Sequence, residues 1–355
     1  MAAAVILAAA CIFPVEAAAV SARKAIVLDG TTGRVLFEKD AHSRSLIAST
    51  TKIMTALVVC ERCNVLDRMR IPAEAVGIEG SSMYLQAGEI LTIQDLLYGM
   101  MLRSGNDAAT ALAIYCGGTV EGFAELMNDK ARELGLEGTH FVNPHGLDAP
   151  DHYSTAKDLA VLAAYAMGNP VFAMTVGTKT TTVGSRCLTN HNKLLWRIDG
   201  ANGVKTGYTK AAGRILVSGA SRQGRQLICV TIDAPDDWND HMHLLEQGFS
   251  GYRLTELVTA GQVLGQAEVL GGTEERVMLE AAQEFLYPIA EGETVTLELP
   301  GAGFVYAPVA AGETAGDAHV LIDGETVGTV RLVYRETVEQ IKETEKSFWQ
   351  KLRRR

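Results

Sequence analysis

The sequence predicts an α+β protein: one antiparallel sheet flanked by helices, with a helical subdomain inserted in it, followed by a small all-β domain. Three observations point there. A strand hairpin lies near the start, at 25–28 and 34–37 about the turn Asp29-Gly30-Thr31-Thr32-Gly33, and a second lies much later, at 214–220 and 226–233. Between them, residues 50–60, 93–101, 108–115, 122–134 and 156–166 carry apolar side chains at helical spacing. From about Gly261 the pattern becomes short alternating runs broken by Gly and Pro, at 293–299, 303–306, 319–323 and 327–333.

Strands at both ends of residues 21–260 that enclose helices imply a single sheet assembled from both termini. Residues 261–335 then form the small β-rich domain. The chain has 355 residues, 47% of them hydrophobic and 21% charged, enough to bury the cores of two such domains. Its formal net charge of -10 argues against nucleic acid as a partner, because neutralising phosphates takes a clustered basic face.

Residues 1–20 open with MAAAVILAAACIFPVEAAA, an apolar run ending in small residues around Ala17 to Ala19. It reads as a secretory signal, without the usual basic start and too short and Ala-rich for a membrane span, so the chain is expected to be exported. Setting Cys11 aside with this segment leaves Cys60, Cys63, Cys116, Cys187 and Cys229. An odd number is no disulfide framework. Cys60-Glu61-Arg62-Cys63 has CxxC spacing, but it lacks the second pair of a zinc site and the βαβ setting of a redox motif. The expectation is two small side chains packed on a helix.

Chemistry is concentrated at Ser49-Thr50-Thr51-Lys52, at the start of the first apolar helix. One helical turn separates Ser49 from Lys52, so the two side chains share a face. A serine hydroxyl is a weak nucleophile until a base takes its proton, and a lysine serves once burial or a second cation lowers its pKa. The helix N-terminus also offers free N–H groups to an oxyanion. Taken alone, such a serine is an N-cap and such a lysine a solvated surface residue. Two further triplets change that reading: Ser104-Gly105-Asn106 just after an apolar helix, and Lys205-Thr206-Gly207 just before the second hairpin. In this order and context the three form the signature of serine β-lactamases and penicillin-binding proteins.

With these motifs the chain resembles, over nearly its whole length, the low-molecular-mass penicillin-binding proteins that are D-alanyl-D-alanine carboxypeptidases of peptidase family S11. Gly88-Glu89, Leu96-Leu97-Tyr98-Gly99, Asp107-Ala108-Ala109, Asn143-Pro144-His145-Gly146-Leu147, Asp199-Gly200, Val204 with Tyr208-Thr209, and Ala307-Pro308-Val309 extend the likeness. The resemblance implies the serine β-lactamase/penicillin-binding protein fold. It implies removal of the terminal D-alanine from peptidoglycan stem pentapeptides through an acyl-enzyme on Ser49, covalent inhibition by β-lactams, and neither metal nor cofactor. Ser49, Lys52 and Ser104 are then catalytic: nucleophile, base and proton relay. Asn106 binds the substrate amide, Lys205 and Thr206 its free carboxylate. Gly207 and Tyr208 also belong to the substrate-binding set, with the backbone N–H groups of Ser49 and Tyr208 as oxyanion hole. Lys205, close to Lys52, is expected to lower the Lys52 pKa.

Arg103 and His191 depart from the family pattern, where Pro and Arg or Thr are frequent. His145 and His152 invite a part in deacylation, although bracing a loop is the plainer role. His241 and His243, two apart on a helix, face different ways and hold no metal. Two alternatives to a carboxypeptidase are a β-lactamase-like hydrolase, for which no Glu-x-x-Leu-Asn-type loop follows Ser104, and an inactive peptidoglycan-binding module. Finally, residues 336–355 are expected to form an amphipathic helix on an anionic membrane surface, with Val338, Ile341, Phe348, Trp349 and Leu352 as its apolar stripe and basic residues at the end. That places the enzyme in the cell envelope, on the outer face of the cytoplasmic membrane.

Overall fold

The computed structural model describes residues 4–7, 20–299, 301 and 303–342. Two compact units divide the chain, residues 15–252 and residues 253–355 with 1–14. In the first, β1 (Lys24–Asp29), β2 (Val35–Lys39), β3 (Ala201–Thr209), β4 (Gly213–Arg222) and β5 (Arg225–Ile232) form an antiparallel sheet in the order β2-β1-β5-β4-β3. The early and late hairpins meet where β1 pairs with β5, Val27 opposite Cys229. β3, which the sequence showed only as the approach to the second hairpin, is a nine-residue edge strand bearing Lys205, Thr206 and Gly207.

Helices follow as α1 (Lys52–Arg62), α2 (Ile93–Leu102), α3 (Asn106–Gly117), α4 (Val120–Glu133), α5 (Ala156–Met167), α6 (Pro170–Gly177) and α7 (Asp237–Ser250). Because successive strand residues point to opposite faces, Ile26, Leu28, Ile228 and Val230 enter the core shared with α1, α2, α3 and α5. Val27, Leu227 and Cys229 join Leu244 and Leu245 of α7 on the other side. A sheet covered on both faces explains why β1 and β5 read as nearly unbroken apolar runs. The missed helix α6 had its signal in Asn169-Pro170, where the Asn169 side chain caps and Pro170 occupies the first turn. A capping box between Thr92 and Asp95 fixes the start of α2, and so where α2 ends beside Ser104.

The second unit has a seven-stranded sheet in the order Ala4–Leu7, Val295–Glu298, Thr314–Ile322, Glu325–Tyr334, Arg276–Ala281, Val263–Leu270, Phe304–Tyr306. A two-stranded sheet joins Tyr252–Val258 to Phe285–Ala290. The change of architecture therefore comes at Arg253 and not at 261, because Leu257 and Val258 pack with Tyr287 and Val320 of the later domain. Of the signal-like segment, Ala4–Leu7 and Val20 fall within the described residues, and Ala4–Leu7 pairs with Val295–Glu298.

The tail departs from expectation in its first seven residues, which are not helical. Val338 bridges Val309 and Gln340 bridges Gly272. Val338 is buried with Val269, Val277 and Ala307, a cluster that satisfies an apolar side chain assigned above to a lipid-facing stripe. Residues 343–355 of the expected helix lie outside the described residues.

In the first unit a buried ion pair closes the sheet. Arg225 Nε donates to Asp29 Oδ2 at 2.6 Å, and Arg225 Nη1 donates to the carbonyls of Gly248 (3.0 Å) and Tyr252 (2.8 Å), tying β1 and β5 to the end of α7. Asp29 is 0% exposed. Arg225→Leu strands that carboxylate and is expected to cost about 3–5 kcal/mol, read as a lowered urea midpoint by circular dichroism. An unchanged midpoint would count against the pair as a structural tie.

Candidate active site

Ser49 lies in a 3₁₀ turn, Ala48–Thr51, that leads into α1, and it makes no side-chain cap. The turn opens with Ala48 at φ 44°, a left-handed backbone that non-glycine residues seldom adopt. Lys52, the first residue of α1, is 0% exposed. Its Nζ lies 3.0 Å from Ser49 Oγ, 2.7 Å from Asn106 Oδ1 and 2.6 Å from the carbonyl oxygen of His145. Burial pushes its pKa well below the ordinary lysine value, the nearby Lys205 pushes the same way, and Asp107 opposes both. The cation expected to do this is thus the second cause. A neutral amine has two N–H groups and a lone pair. With the two shorter contacts taking the N–H groups, the lone pair is left for the Ser49 hydroxyl.

The carbonyl under Lys52 is delivered by the Asn143-to-Leu147 loop. Asn143 Oδ1 accepts from Gly146 N at 2.7 Å, Asn143 Nδ2 donates to the Leu147 carbonyl at 2.9 Å, and Thr55 Oγ1 donates to the Pro144 carbonyl at 2.6 Å. Gly146, at φ 87°, packs so tightly that a Cβ there would sit 1.8 Å from the Ala48 carbonyl oxygen. Only glycine lets this loop reach the lysine. The His145 ring accepts from Leu147 N, and its pKa is lowered to about 4 by burial and by Lys52. His152 accepts from Val142 N at 3.1 Å and meets Thr51 Oγ1 at 2.8 Å, with its pKa also lowered to about 4 by burial. Both rings brace the loops around the nucleophile.

Ser104 joins α2 to α3 with φ 62°. Lys205, on β3 and 1% exposed, donates from Nζ to Ser104 Oγ at 3.1 Å and to the Thr206 carbonyl at 2.9 Å. Burial lowers its pKa to about 7. Asn106 starts α3, and its Nδ2 donates to the Glu79 carbonyl. Asp107 accepts from Met83 N, Leu85 N and the Ser82 hydroxyl, which holds segment 82–85 against α3. At Gly207 a Cβ would lie 3.3 Å from both Ser49 N and the Ile47 carbonyl oxygen, so β3 runs directly against the nucleophile turn.

Ser49, Ser104, Thr206, Gly207 and Tyr208 line one cavity of about 390 Å³. Lys52, Asn106 and Lys205 are buried; Lys52 reaches Ser49, Lys205 reaches Ser104, and Asn106 joins them through Lys52. All eight residues singled out from the sequence are thereby gathered at one place. The cavity wall also holds His191, noted above as a departure from the family pattern, and Ser81, Arg214, Asp237 and Trp238, which sequence reasoning missed. Arg214 Nη2 donates to both oxygens of Asp237, at 2.7 and 2.9 Å. Register would have found Arg214, since it stands opposite Tyr208 once β3 is recognised as a strand. His191 is kept neutral, its pKa lowered to about 4 by burial and by Lys205 and Arg103. His241 lies elsewhere, between the hydroxyls of Ser218 and Thr231.

The profile of the D-alanyl-D-alanine carboxypeptidase family, peptidase S11, matches residues 12–236, and that of the penicillin-binding protein 5 C-terminal domain matches residues 252–340. The chain belongs to this carboxypeptidase family. D-alanyl-D-alanine carboxypeptidase DacF of Bacillus subtilis is 31% identical over 335 residues, spanning 90% of this chain and 86% of the relative. DacC of Escherichia coli is 32% identical over 348 residues, 92% of this chain and 86% of the relative. Penicillin binding protein 5 from Haemophilus influenzae superposes with a TM-score of 0.80 at 29% identity, over 92% of this chain and all of that one.

The lowered pKa of Lys205 carries a consequence for folding in this carboxypeptidase. Between its ordinary value of 10.5 and its folded value of about 7, the unfolded chain holds a proton that the folded chain releases. Stability therefore falls as pH drops through that window. Lys205→Met removes the penalty. Its thermal midpoint is expected to exceed the parent's by a few degrees near pH 7 and to match it near pH 10.5, in melts followed by fluorescence; equal midpoints at both would refute the buried charge.

Proposed function

We propose that this chain removes the C-terminal D-alanine from peptidoglycan stem pentapeptides by way of an ester on Ser49. The observation that carries the reading is a fully buried lysine whose amine lies 3.0 Å from the hydroxyl of a partly exposed serine. Neutral Lys52 takes the Ser49 proton as Oγ attacks the carbonyl between the two D-alanines. The oxyanion forms against the N–H groups of Ser49 and Tyr208. Ser104, polarised by Lys205, passes a proton to the departing amine. Asn106 and Thr206 hold the substrate's amide and carboxylate. As β3 is the edge of its sheet, an extended peptide can pair along it and present its carbonyl to Ser49. Water then cleaves the ester, releasing the shortened peptide and restoring the Ser49 hydroxyl.

A β-lactam meets the same nucleophile and stays bound. Among the residues that line the cavity, Asp237 is the one carboxylate, and Arg214 engages both its oxygens. No unpaired carboxylate stands among these lining residues to activate water, which favours a carboxypeptidase over a β-lactamase. The same reading places the enzyme outside the cytoplasmic membrane. Its attachment then falls to residues after Lys342, where Phe348 and Trp349 neighbour Lys351, Arg353, Arg354 and Arg355, a combination suited to an anionic interface.

Penicillin is expected to leave one adduct per chain, mapped by mass spectrometry to the peptide containing Ser49. Ser49→Ala should form none and should release no D-alanine from a pentapeptide, while Lys52→Ala should acylate about 10²–10⁴-fold more slowly. An adduct on another residue, or normal acylation by Lys52→Ala, overturns the assignment. For attachment, the chain stopped after Lys342 is compared with the full chain in co-sedimentation with phosphatidylglycerol vesicles. The full chain alone should pellet, and both should cleave soluble peptide; equal pelleting refutes the anchor.

A further inference from the structure

The wall of the active-site cavity holds a guanidinium that no step above uses. Arg214, the second residue of β4, stands opposite Tyr208 of β3, so its side chain shares a face of the sheet with Tyr208 and Thr206, and all three line the cavity. Arg214 Nη2 carries both contacts to Asp237, at 2.7 and 2.9 Å, and Asp237, at the start of α7, has a side chain only 4% exposed. The guanidinium carbon lies 6.0 Å from the centre of the Trp238 ring. A buried carboxylate and an indole thus fix the group from behind. In front, the Arg214 side chain is 44% exposed, and its Nε and Nη1 have no partner among the described residues. A guanidinium held in this way offers charge-assisted hydrogen bonds to an oxyanion. Lys193, exposed in the same wall and without an ion pair among the described residues, leaves the cavity with more positive charge than Asp237 offsets.

We propose, on the carboxypeptidase reading above, that Arg214 selects stem peptides whose third residue carries a free carboxylate at the end of its side chain. With the terminal carboxylate at Thr206 and the scissile carbonyl at the N–H of Tyr208, the peptide lies antiparallel to β3. Its earlier residues then run past Tyr208 toward the turn between β3 and β4. Strands lie about 4.8 Å apart, so the peptide and β4 are separated by roughly 10 Å across β3, a gap that an arginine and a long diamino-acid side chain close together. A carboxylate there pairs with Nε or Nη1 of Arg214. The ammonium of a lysine at the same position meets a fixed cation and is repelled. The competing charge, Asp148, accepts from Thr209 Oγ1 at 3.2 Å, and Thr209 points to the opposite face of β3 from Tyr208.

The test measures D-alanine release by the full chain from three pentapeptides alike except at the third residue, which is meso-diaminopimelate, its side-chain amide, or L-lysine. The free acid should exceed the other two by about tenfold or more in kcat/KM, with the difference lying in KM. The paired variant Arg214→Gln with Asp237→Asn removes the ion pair without stranding a buried carboxylate, and in it the preference should disappear. Because the preference is a ratio between peptides, any unfolded fraction of the variant cancels from it. Arg214→Lys, which keeps the charge, should retain part of it. Equal use of the three peptides by the parent, a preference for lysine, or a preference that survives in the paired variant overturns the role of Arg214 and leaves the carboxypeptidase reading standing. Release from none of the three overturns that reading itself, and the selectivity with it.

Discussion

The burial of one lysine amine organises this catalytic unit. A polar group withdrawn from water must find its hydrogen bonds within the protein, and Lys52 finds them in three separate segments. Asn106 comes from the start of α3, the His145 carbonyl from a loop held by Asn143, and Ser49 from the turn that precedes the lysine's own helix. Moving any of these would strand the amine, so the geometry that activates the serine is also the geometry that satisfies the buried group. Burial does most of the pKa lowering and the second lysine adds to it.

Around this point the backbone takes conformations seldom seen in regular structure. Ala48 and Ser104 both have left-handed φ values, and Gly146 and Gly207 allow two segments to pass close to the nucleophile turn. Such conformations persist where surrounding contacts over-determine them. Asp107 supplies several such contacts beside Ser104, and the capping box of α2 fixes how far that helix runs before it. The sheet contributes rigidity on one side and an open edge on the other. Rigid positioning with one accessible strand suits a site that must align an extended peptide against a fixed hydroxyl.

Residues close in sequence were legible and residues brought together by packing were less so. Ser49 and Lys52 share a helical face by spacing alone, and the two hairpins announced themselves through turn residues and alternation. β3 went unread as a strand because Lys205, Gly203 and Gly207 interrupt its apolar pattern, and with it went Arg214, whose place depends on the register of β3 against β4. α7 was read only as the helix under His241 and His243, and its polar first turn kept Asp237 and Trp238 from view. Val338 looked like part of an apolar helical stripe, yet its partner is a strand segment around Val309.

By itself the sequence determined which family this protein belongs to: three short motifs, in one order, mark it, and they mark the residues proposed as nucleophile, base and binding partners. It also determined the class of fold, since hairpins flanking helices leave few ways to bury both. Only the tertiary structure decided that Lys52 is dry and that Lys205 reaches Ser104. It also decided that a carbonyl from residue 145 stands beneath the base and that the second unit begins at Arg253. The reason is physical. Local spacing sets which side chains share a face, whereas burial, pKa and long-range contacts arise from distant segments packing together.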